Sequence, residues 1–413
     1  MAVSVQTAAQ AYAPLIGLAP MMRHIFEGHD IQPVASALLQ RAEQHPDDAY
    51  AMMDCATVLF LTNHHELALA LQAQAIGNQS VYSFPPKPQA PDFKLLVIMG
   101  PGDLMANTPV EFLVEYENVE LTLLYLDLHH RWPDEVPDHD VLLIGVAESK
   151  ANQELLRRIG LLTENWPRPV LNRAQRIAIL SRDGVCGALQ HCPCIEMPLT
   201  IRATRAVVQT LADGHTELRS LLPDASFPLI VRPLGSHAGQ DLEKIDTPEL
   251  LAHYLDKVKA EEFYLSRFVD YSSADGQFRK YRIAIIEGQA YLCHMAISSH
   301  WMVHYLNAGM AENAEKRAEE AAGMADFSEN FAARHRQAFI DIARRIGLEY
   351  VAIDCAETRD GCLLIFEADN AMIVHSLDQE DMYPYKKPAM MKVFSAFRAL
   401  LDHTRLPQQG PTT

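Results

Sequence analysis

Three short runs constrain the fold more than any other feature of this chain. Lys94-Leu95-Leu96-Val97-Ile98-Met99, residues 119–126 and residues 140–146 carry large aliphatic side chains almost without interruption. A strand with one wet face alternates in polarity, so a run without alternation reads as a strand covered on both faces. Between the runs, residues 110–116 and 152–162 repeat apolar side chains at helical spacing. Strand and helix in alternation predict a parallel sheet with helices packed on it. The first strand ends in Gly100-Pro101-Gly102, which opens like a dinucleotide-binding turn, but Met105 stands where the third glycine belongs. No GxxxxGK[ST] loop occurs either, so neither familiar nucleotide loop is expected.

The chain divides around that sheet. Upstream, residues 34–77 are helical in period, and residues 45–50 followed by 66–74 look like one tetratricopeptide-type helical pair. A lone pair cannot bury both faces and must pack on its neighbours or on a partner chain. Pro85, Pro86, Pro88 and Pro91 then mark an irregular crossing. Downstream the pattern is α+β. A strand at 229–232 runs into a turn at 235–239, and a strand at 262–269 and a hairpin over 281–292 follow. A helix over 331–346 ends at Gly347, and strands at 350–355 and 362–367 are joined by Arg359-Asp360-Gly361. Residues 310–324, rich in Ala and Glu, are expected to form an exposed helix or a mobile loop.

At 413 residues the chain is too long for one compact core, so several domains are expected. Its 35 Lys+Arg against 53 Asp+Glu give a formal net charge of -18, which argues against sequence-independent nucleic-acid binding. No apolar run reaches the roughly eighteen residues of a membrane span, and the first turns of chain lack the Lys or Arg of a secretory signal. A cytoplasmic location is expected. The seven cysteines are odd in number and sit mostly in apolar segments, which predicts reduced thiols. Cys192-Pro193-Cys194, with Cys186 and His191 nearby, lacks zinc-site spacing and reads as packing.

Two constellations carry chemistry. Asp354 closes one late strand and Glu367 the next, with Asp369 and Asn370 just behind. Hard oxygen ligands delivered from adjacent strands suit Mg²⁺ that also holds nucleotide phosphates, solvated strand ends being the alternative. Arg232 leaves a buried strand before Gly235-Ser236-His237-Ala238-Gly239. That turn can lay N–H groups over phosphate oxygens while the guanidinium contacts them in bidentate fashion; a hairpin tip with a surface Arg is the alternative. Arg182, Lys280 and Arg282 add further cations.

In this order the text resembles an ATP-grasp ligase of the glutathione synthetase and RimK-like branch. The matching pieces lie between residues 94 and 401: Val170-Leu171-Asn172, Arg182-Asp183, Met197-Pro198-Leu199-Thr200, residues 230–239, Tyr281-Arg282, Leu306-Asn307-Ala308-Gly309, Ile353-Asp354 and Phe366-Glu367-Ala368-Asp369-Asn370. The resemblance implies an α/β and α+β ATP-grasp fold. Its parts would be a tetratricopeptide-like extension over 1–82, a parallel-sheet domain over 83–200, a lid over 201–268, a catalytic subdomain over 269–405 and a flexible tail over 406–413. It implies ATP and Mg²⁺ as cofactors. Arg182 and Arg232 fall where the family has lysines that contact phosphates, and Gly235, Ser236, His237 and Gly239 would form the phosphate-covering loop. Residues 262–270 would line adenine and ribose, Phe268 among them and Asp270 at the ribose, with Lys280 also at the nucleotide. Arg282, with Arg232, would steady an acyl phosphate. Asp354, Glu367 and either Asp369 or Asn370 would hold Mg²⁺, and His294, His300, Asn307 and Gly309 would meet substrate.

The departures are specific. Both family lysines are arginines, Glu-x-Asn has become Glu367-Ala368-Asp369 with Asn370 one place later, and the acid expected two residues before Arg282 is Lys280. The expected activity is ATP-dependent ligation of a small-molecule or peptide carboxylate to an amine through an acyl phosphate. One of His237, His294, His300 and His304 would take the amine proton, a packing or substrate-contact role being the alternative for each. A phosphotransferase and a tetratricopeptide-type binding protein with a degenerate nucleotide site are the alternatives. A homodimer and a peptide partner at the N-terminal helices are also expected, and neither nucleic acid nor a membrane is.

Overall fold

A computed structural model describes residues 12–129, 132–133, 135–236 and 239–405; His237 of the expected phosphate loop and the 406–413 tail lie outside the described residues. Four helices come first: α1 (Leu18–Phe26), α2 (Gln32–Gln44), α3 (Ala49–Leu61) and α4 (His65–Asn78). Asp48 caps α3 by accepting the Ala51 N–H, and α3 is buried along most of its length. Met52, Met53, Ala75 and Ile76 share one core with Phe93, Leu95 and Val97 of the sheet that follows, so the helical head packs on its neighbour. Two carboxylates at that junction serve the start of α1. Asp54 accepts the N–H groups of Ile16 (2.8 Å) and Gly17 (3.1 Å), and Glu111 accepts that of Ala19 (2.9 Å).

The first sheet contains β1 (Val81–Ser83), β2 (Phe93–Met99), β3 (Val119–Tyr125), β4 (Val141–Ile144) and β5 (Val170–Leu171) in the order β1-β3-β2-β4-β5. All pairings are parallel except that of β1, an antiparallel edge strand. The three apolar runs are its central strands, with β2 and β4 buried along nearly their whole length. Next comes β6 (Ile195–Glu196), then a second sheet of β7 (Thr200–Thr204), β8 (Leu229–Pro233), β9 (Glu243–Ile245) and β10 (Glu262–Arg267), all antiparallel in the order β7-β10-β8-β9. The third sheet is built from β11 (Phe278–Ile286), β12 (Gln289–Ser298), β13 (Tyr350–Glu357) and β14 (Leu363–Asp369), in the order β12-β11-β13-β14-β6. Although β6 falls in the 83–200 segment, it pairs in parallel with β14 of the third sheet.

The Ala/Glu-rich segment forms the helix Ala314–Asp326, exposed along much of its length as expected, with Glu320 and Met324 as its buried positions. Glu320 accepts the Met295 N–H (3.0 Å) and the hydroxyls of Tyr305 (2.9 Å) and Tyr385 (2.7 Å), and it lies 3.8 Å from the buried Lys386 ammonium. The seven cysteines are all free. Among the described residues no helix is long and apolar enough to cross a membrane.

Candidate functional site

A cleft of about 310 Å³ opens between the second and third sheets. Strand register assembles its charged floor. Arg282 on β11 stands opposite Asp354 on β13, and Asp354 stands opposite Glu367 on β14. Residues two apart on a strand share a face, so Lys280 joins Arg282 and Asp369 joins Glu367. All five line the cleft.

Asp354 is held by two cations. Arg282 donates from Nε to Oδ1 (2.8 Å) and from Nη2 to Oδ2 (3.1 Å), and Lys280 Nζ lies 2.7 Å from Oδ2. Against the desolvation of a buried site, these charges hold the Asp354 carboxyl far below the usual carboxylate range. Arg182 opens the helix Arg182–Leu189 and donates to Glu367 Oε2 and to the Phe366 carbonyl (3.0 Å). Glu367 is likewise held down against desolvation, by Arg182 first. Asp369 differs: burial pushes its carboxyl up to about 7, with the Ala371 N–H and the charge of Arg182 opposing.

The lid side is wired differently. Arg232, at the end of β8, is buried and donates to Ser236 through Nε (3.2 Å to Oγ) and Nη2 (to the carbonyl). Burial and the neighbouring Arg182 charge pull its guanidinium down to about 10, which leaves it charged at neutral pH. Gly235 and Gly239 bracket the loop in left-handed conformation, and a Cβ on Gly239 would meet Met302 Sδ at 3.4 Å. Tyr264 lies opposite Arg232 in register. Phe268 meets Trp301 edge-on with 5.8 Å between centroids, which gives the cleft an aromatic wall suited to a flat ring. The lid is fastened to the body by half-exposed ion pairs. Arg202 bonds Asp183 (2.8 Å), Lys150 bonds Glu262 (2.5 Å) and Arg267 bonds Glu196.

Not every expected residue arrives at the cleft. Arg182, Arg232, Gly239, Phe268, Lys280, Arg282, Asn307, Asp354, Glu367 and Asp369 line it. Asn370 does not: it is one residue out of phase with Glu367 and Asp369. Its Nδ2 donates to Thr108 Oγ1 (3.1 Å) and to the Val146 carbonyl (3.1 Å), so it fastens the first sheet rather than facing a metal. Asp270 accepts the Ser272 N–H and lies 3.5 Å from Arg359, off the cleft wall. Gly235 and Ser236 stand behind the wall, Ser236 as the partner of Arg232. His294 is set between Arg282, its cross-strand neighbour, and the Tyr305 ring at 4.7 Å. His300 is exposed and accepts the Met302 N–H, and Gly309 makes a left-handed turn beyond Asn307. Neither lines the cleft. Tyr264 and Ser266, within the 262–270 segment expected at the nucleotide, line the wall, and Trp301 is the wall residue the sequence reading missed.

Among the described residues no three His, Cys, Asp or Glu side chains converge into a ready cage. Mg²⁺ needs none, since it is bound by one or two carboxylates together with substrate phosphates. Glu367 and Asp369 fit that requirement, because Asp369 is half-buried, its bond among the described residues is from the Ala371 N–H, and a metal would supply the missing cation. The small antiparallel second sheet faces the larger third sheet, whose strand ends carry carboxylates, and Arg182, Arg232, Lys280 and Arg282 line the cleft between them. The chain is a mixed α/β protein of helices packed on three sheets.

No family model and no curated protein matches the sequence. Solved structures do. The chain is similar to a RimK domain protein ATP-grasp from Sphaerobacter thermophilus at 13% identity and TM-score 0.40, with 75% of this chain and 99% of that chain covered. It is similar to the D-alanine–D-alanine ligase of Bacillus anthracis complexed with ATP at 14% identity and TM-score 0.41, over 75% and 99% of the two chains. It is also similar to the VanG D-Ala:D-Ser ligase of Enterococcus faecalis at 11% identity and TM-score 0.45, again over 75% and 99%.

Proposed function

We propose that this protein is an ATP- and Mg²⁺-dependent carboxylate–amine ligase that forms an amide bond through an acyl phosphate. One observation carries the reading: Arg182, Arg232, Lys280 and Arg282 converge on a cleft whose floor also presents Glu367 and Asp369. A carboxylate and a triphosphate repel each other, so their reaction requires cations fixed around the meeting point. The acid oxygen attacks the γ-phosphorus, the bond to the β–γ bridging oxygen breaks and ADP leaves. The amine nitrogen then attacks the acyl carbon, phosphate leaves and the amine gives up a proton. Mg²⁺ held by Glu367 and Asp369 would supply charge to the phosphates.

The protein's own groups do the rest. Arg232 and Arg182 would orient the phosphates, and Arg282, fixed by two bonds to Asp354, would steady the acyl phosphate. Phe268, Trp301 and Met302 would cover the intermediate, which hydrolyses in open water. Among the described residues His304 is the histidine on the cleft wall. Burial and the Lys280 and Arg282 charges keep its ring below its ordinary pKa, so it is neutral at pH 7 and able to accept the amine proton. The α1–α4 head, read as tetratricopeptide-like, would present a peptide substrate.

The test is product analysis with panels of acids and amines. ADP and phosphate should be released only when both a carboxylate and an amine are supplied. AMP and pyrophosphate would refute the mechanism, and a stable phosphorylated product without an amide would identify a phosphotransferase.

A further inference from the structure

Asp354 looks at first like a third metal ligand, because it lies beside Glu367 across the β13–β14 pairing. Its oxygens are already in use. Oδ1 accepts Arg282 Nε at 2.8 Å, and Oδ2 takes both Arg282 Nη2 at 3.1 Å and Lys280 Nζ at 2.7 Å. The Asp354 side chain is 2% exposed and that of Lys280 16%, so the contact is shielded from water and far stronger than a surface pair. A divalent cation could reach Asp354 only by displacing that ammonium, and its two charges would then face Lys280 and Arg282 at close range. Glu367 and Asp369 are not closed off in this way: Arg182 bonds Glu367 at Oε2, and Asp369 accepts the Ala371 N–H.

Lys280 is also equipped to act on a phosphate. An ammonium carries three donors. One is spent on Asp354, which leaves two on a side chain that lines the cleft together with Arg232, Arg282 and Glu367. Lys280 thus brings a positive charge to the place between Asp354 and the phosphates, where a second metal would otherwise be needed.

We propose that Lys280 is a resident cation of the phosphate site, occupying the position of a second metal, so that nucleotide is held with one divalent ion, at Glu367 and Asp369. This rests on the reading of the cleft as an ATP site. It predicts that nucleotide affinity in the absence of metal is retained better than in a site built from carboxylates alone.

The experiment counts metal. Mn²⁺ is titrated into the full chain with saturating AMP-PNP, a nucleotide that is not turned over, and bound Mn²⁺ is read by electron paramagnetic resonance. Wild type should hold one Mn²⁺ per bound AMP-PNP, Lys280→Arg should also hold one, and Lys280→Glu should hold two. In EDTA, Lys280→Gln should bind AMP-PNP about tenfold more weakly than wild type, the loss of one charge-assisted contact. Lys280→Gln has no charge to bury, so it keeps the question open to test should Lys280→Glu fail to fold, which its thermal melt would reveal. Two Mn²⁺ per AMP-PNP in wild type, or an unchanged EDTA affinity in Lys280→Gln, would overturn the assignment of Lys280 while leaving the ATP site intact. Failure of AMP-PNP to bind wild type at all would instead overturn the ligase reading, and this inference with it.

Discussion

The cleft and the junction beneath the helical head both bury carboxylates, but their surroundings are opposite. In the cleft, Asp354 is enclosed by Arg282 and Lys280, and its carboxyl is held well below the ordinary range against desolvation. At the junction, Asp54 and Glu111 accept backbone N–H groups near the start of α1. Burial there pushes the carboxyls up, Asp54 to about 6 and Glu111 to about 7. The same side-chain chemistry therefore serves two purposes. A carboxylate pinned by cations stays charged and holds those cations in place for an incoming anion. A carboxyl buried against amide dipoles alone caps a helix and takes up a proton near neutral pH.

Removing Asp354 should produce the largest effect. Asp354→Ala leaves the half-buried Arg282 and Lys280 without their counter-charge, and the expected loss is about 3 kcal/mol in denaturant-monitored stability. A loss under about 1 kcal/mol would mean that the floor is less desolvated than its geometry implies.

The junction should respond in the opposite sense, and to pH. Because the folded chain binds these protons more tightly than the unfolded chain does, the contribution is fully present below about pH 4 and is lost as pH rises through 6 to 7. Glu111→Gln should flatten its share of that decline, roughly 1–3 kcal/mol between pH 4.5 and 8, measured as unfolding free energy against pH. A variant whose profile matches wild type would show that Glu111 ionises normally.

The smallest effect should come from the lid's outer fastening. Arg202 and Asp183 are each about one third exposed, so Arg202→Ala should cost no more than about 1 kcal/mol of stability. Protease cleavage around the second sheet should nevertheless quicken, because the pair ties β7 to the helix Arg182–Leu189. A large stability loss would place Arg202 with the cleft floor instead.

The sequence was legible where burial was deep and unbroken. Strands β2, β3, β4, β13 and β14 were predicted because each is a run of apolar residues long enough to have no other explanation. β1, β6 and β9 were not, since edge strands of two or three residues are defined by a partner's hydrogen bonds and not by their own side chains. Arg182, Arg232, Arg282 and Glu367, which line the cleft, stood out in the sequence because a cation or acid within or beside a buried strand or at the start of a helix needs a reason to be there. Asn370 was misplaced by one residue of strand phase, which turns a side chain to the opposite face. The burial of Glu320 within an otherwise exposed helix was not legible, because a composition rich in Ala and Glu says nothing about the two tyrosines and the lysine that fold over it from distant parts of the chain. Lys280 and Asp354 were each recognised, but their pairing depends on the β11–β13 register, which no local pattern encodes.

The central claim is that the cleft between the lid sheet and the third sheet binds the triphosphate of ATP through Arg232. Calorimetric titration of AMP-PNP with Mg²⁺ into wild type and Arg232→Ala, alongside a thermal melt of each, tests it most directly. The account predicts saturable, Mg²⁺-dependent binding to wild type and at least tenfold weaker binding to Arg232→Ala with its melting temperature nearly unchanged. Binding that is undiminished in Arg232→Ala, or absent from wild type, would contradict it.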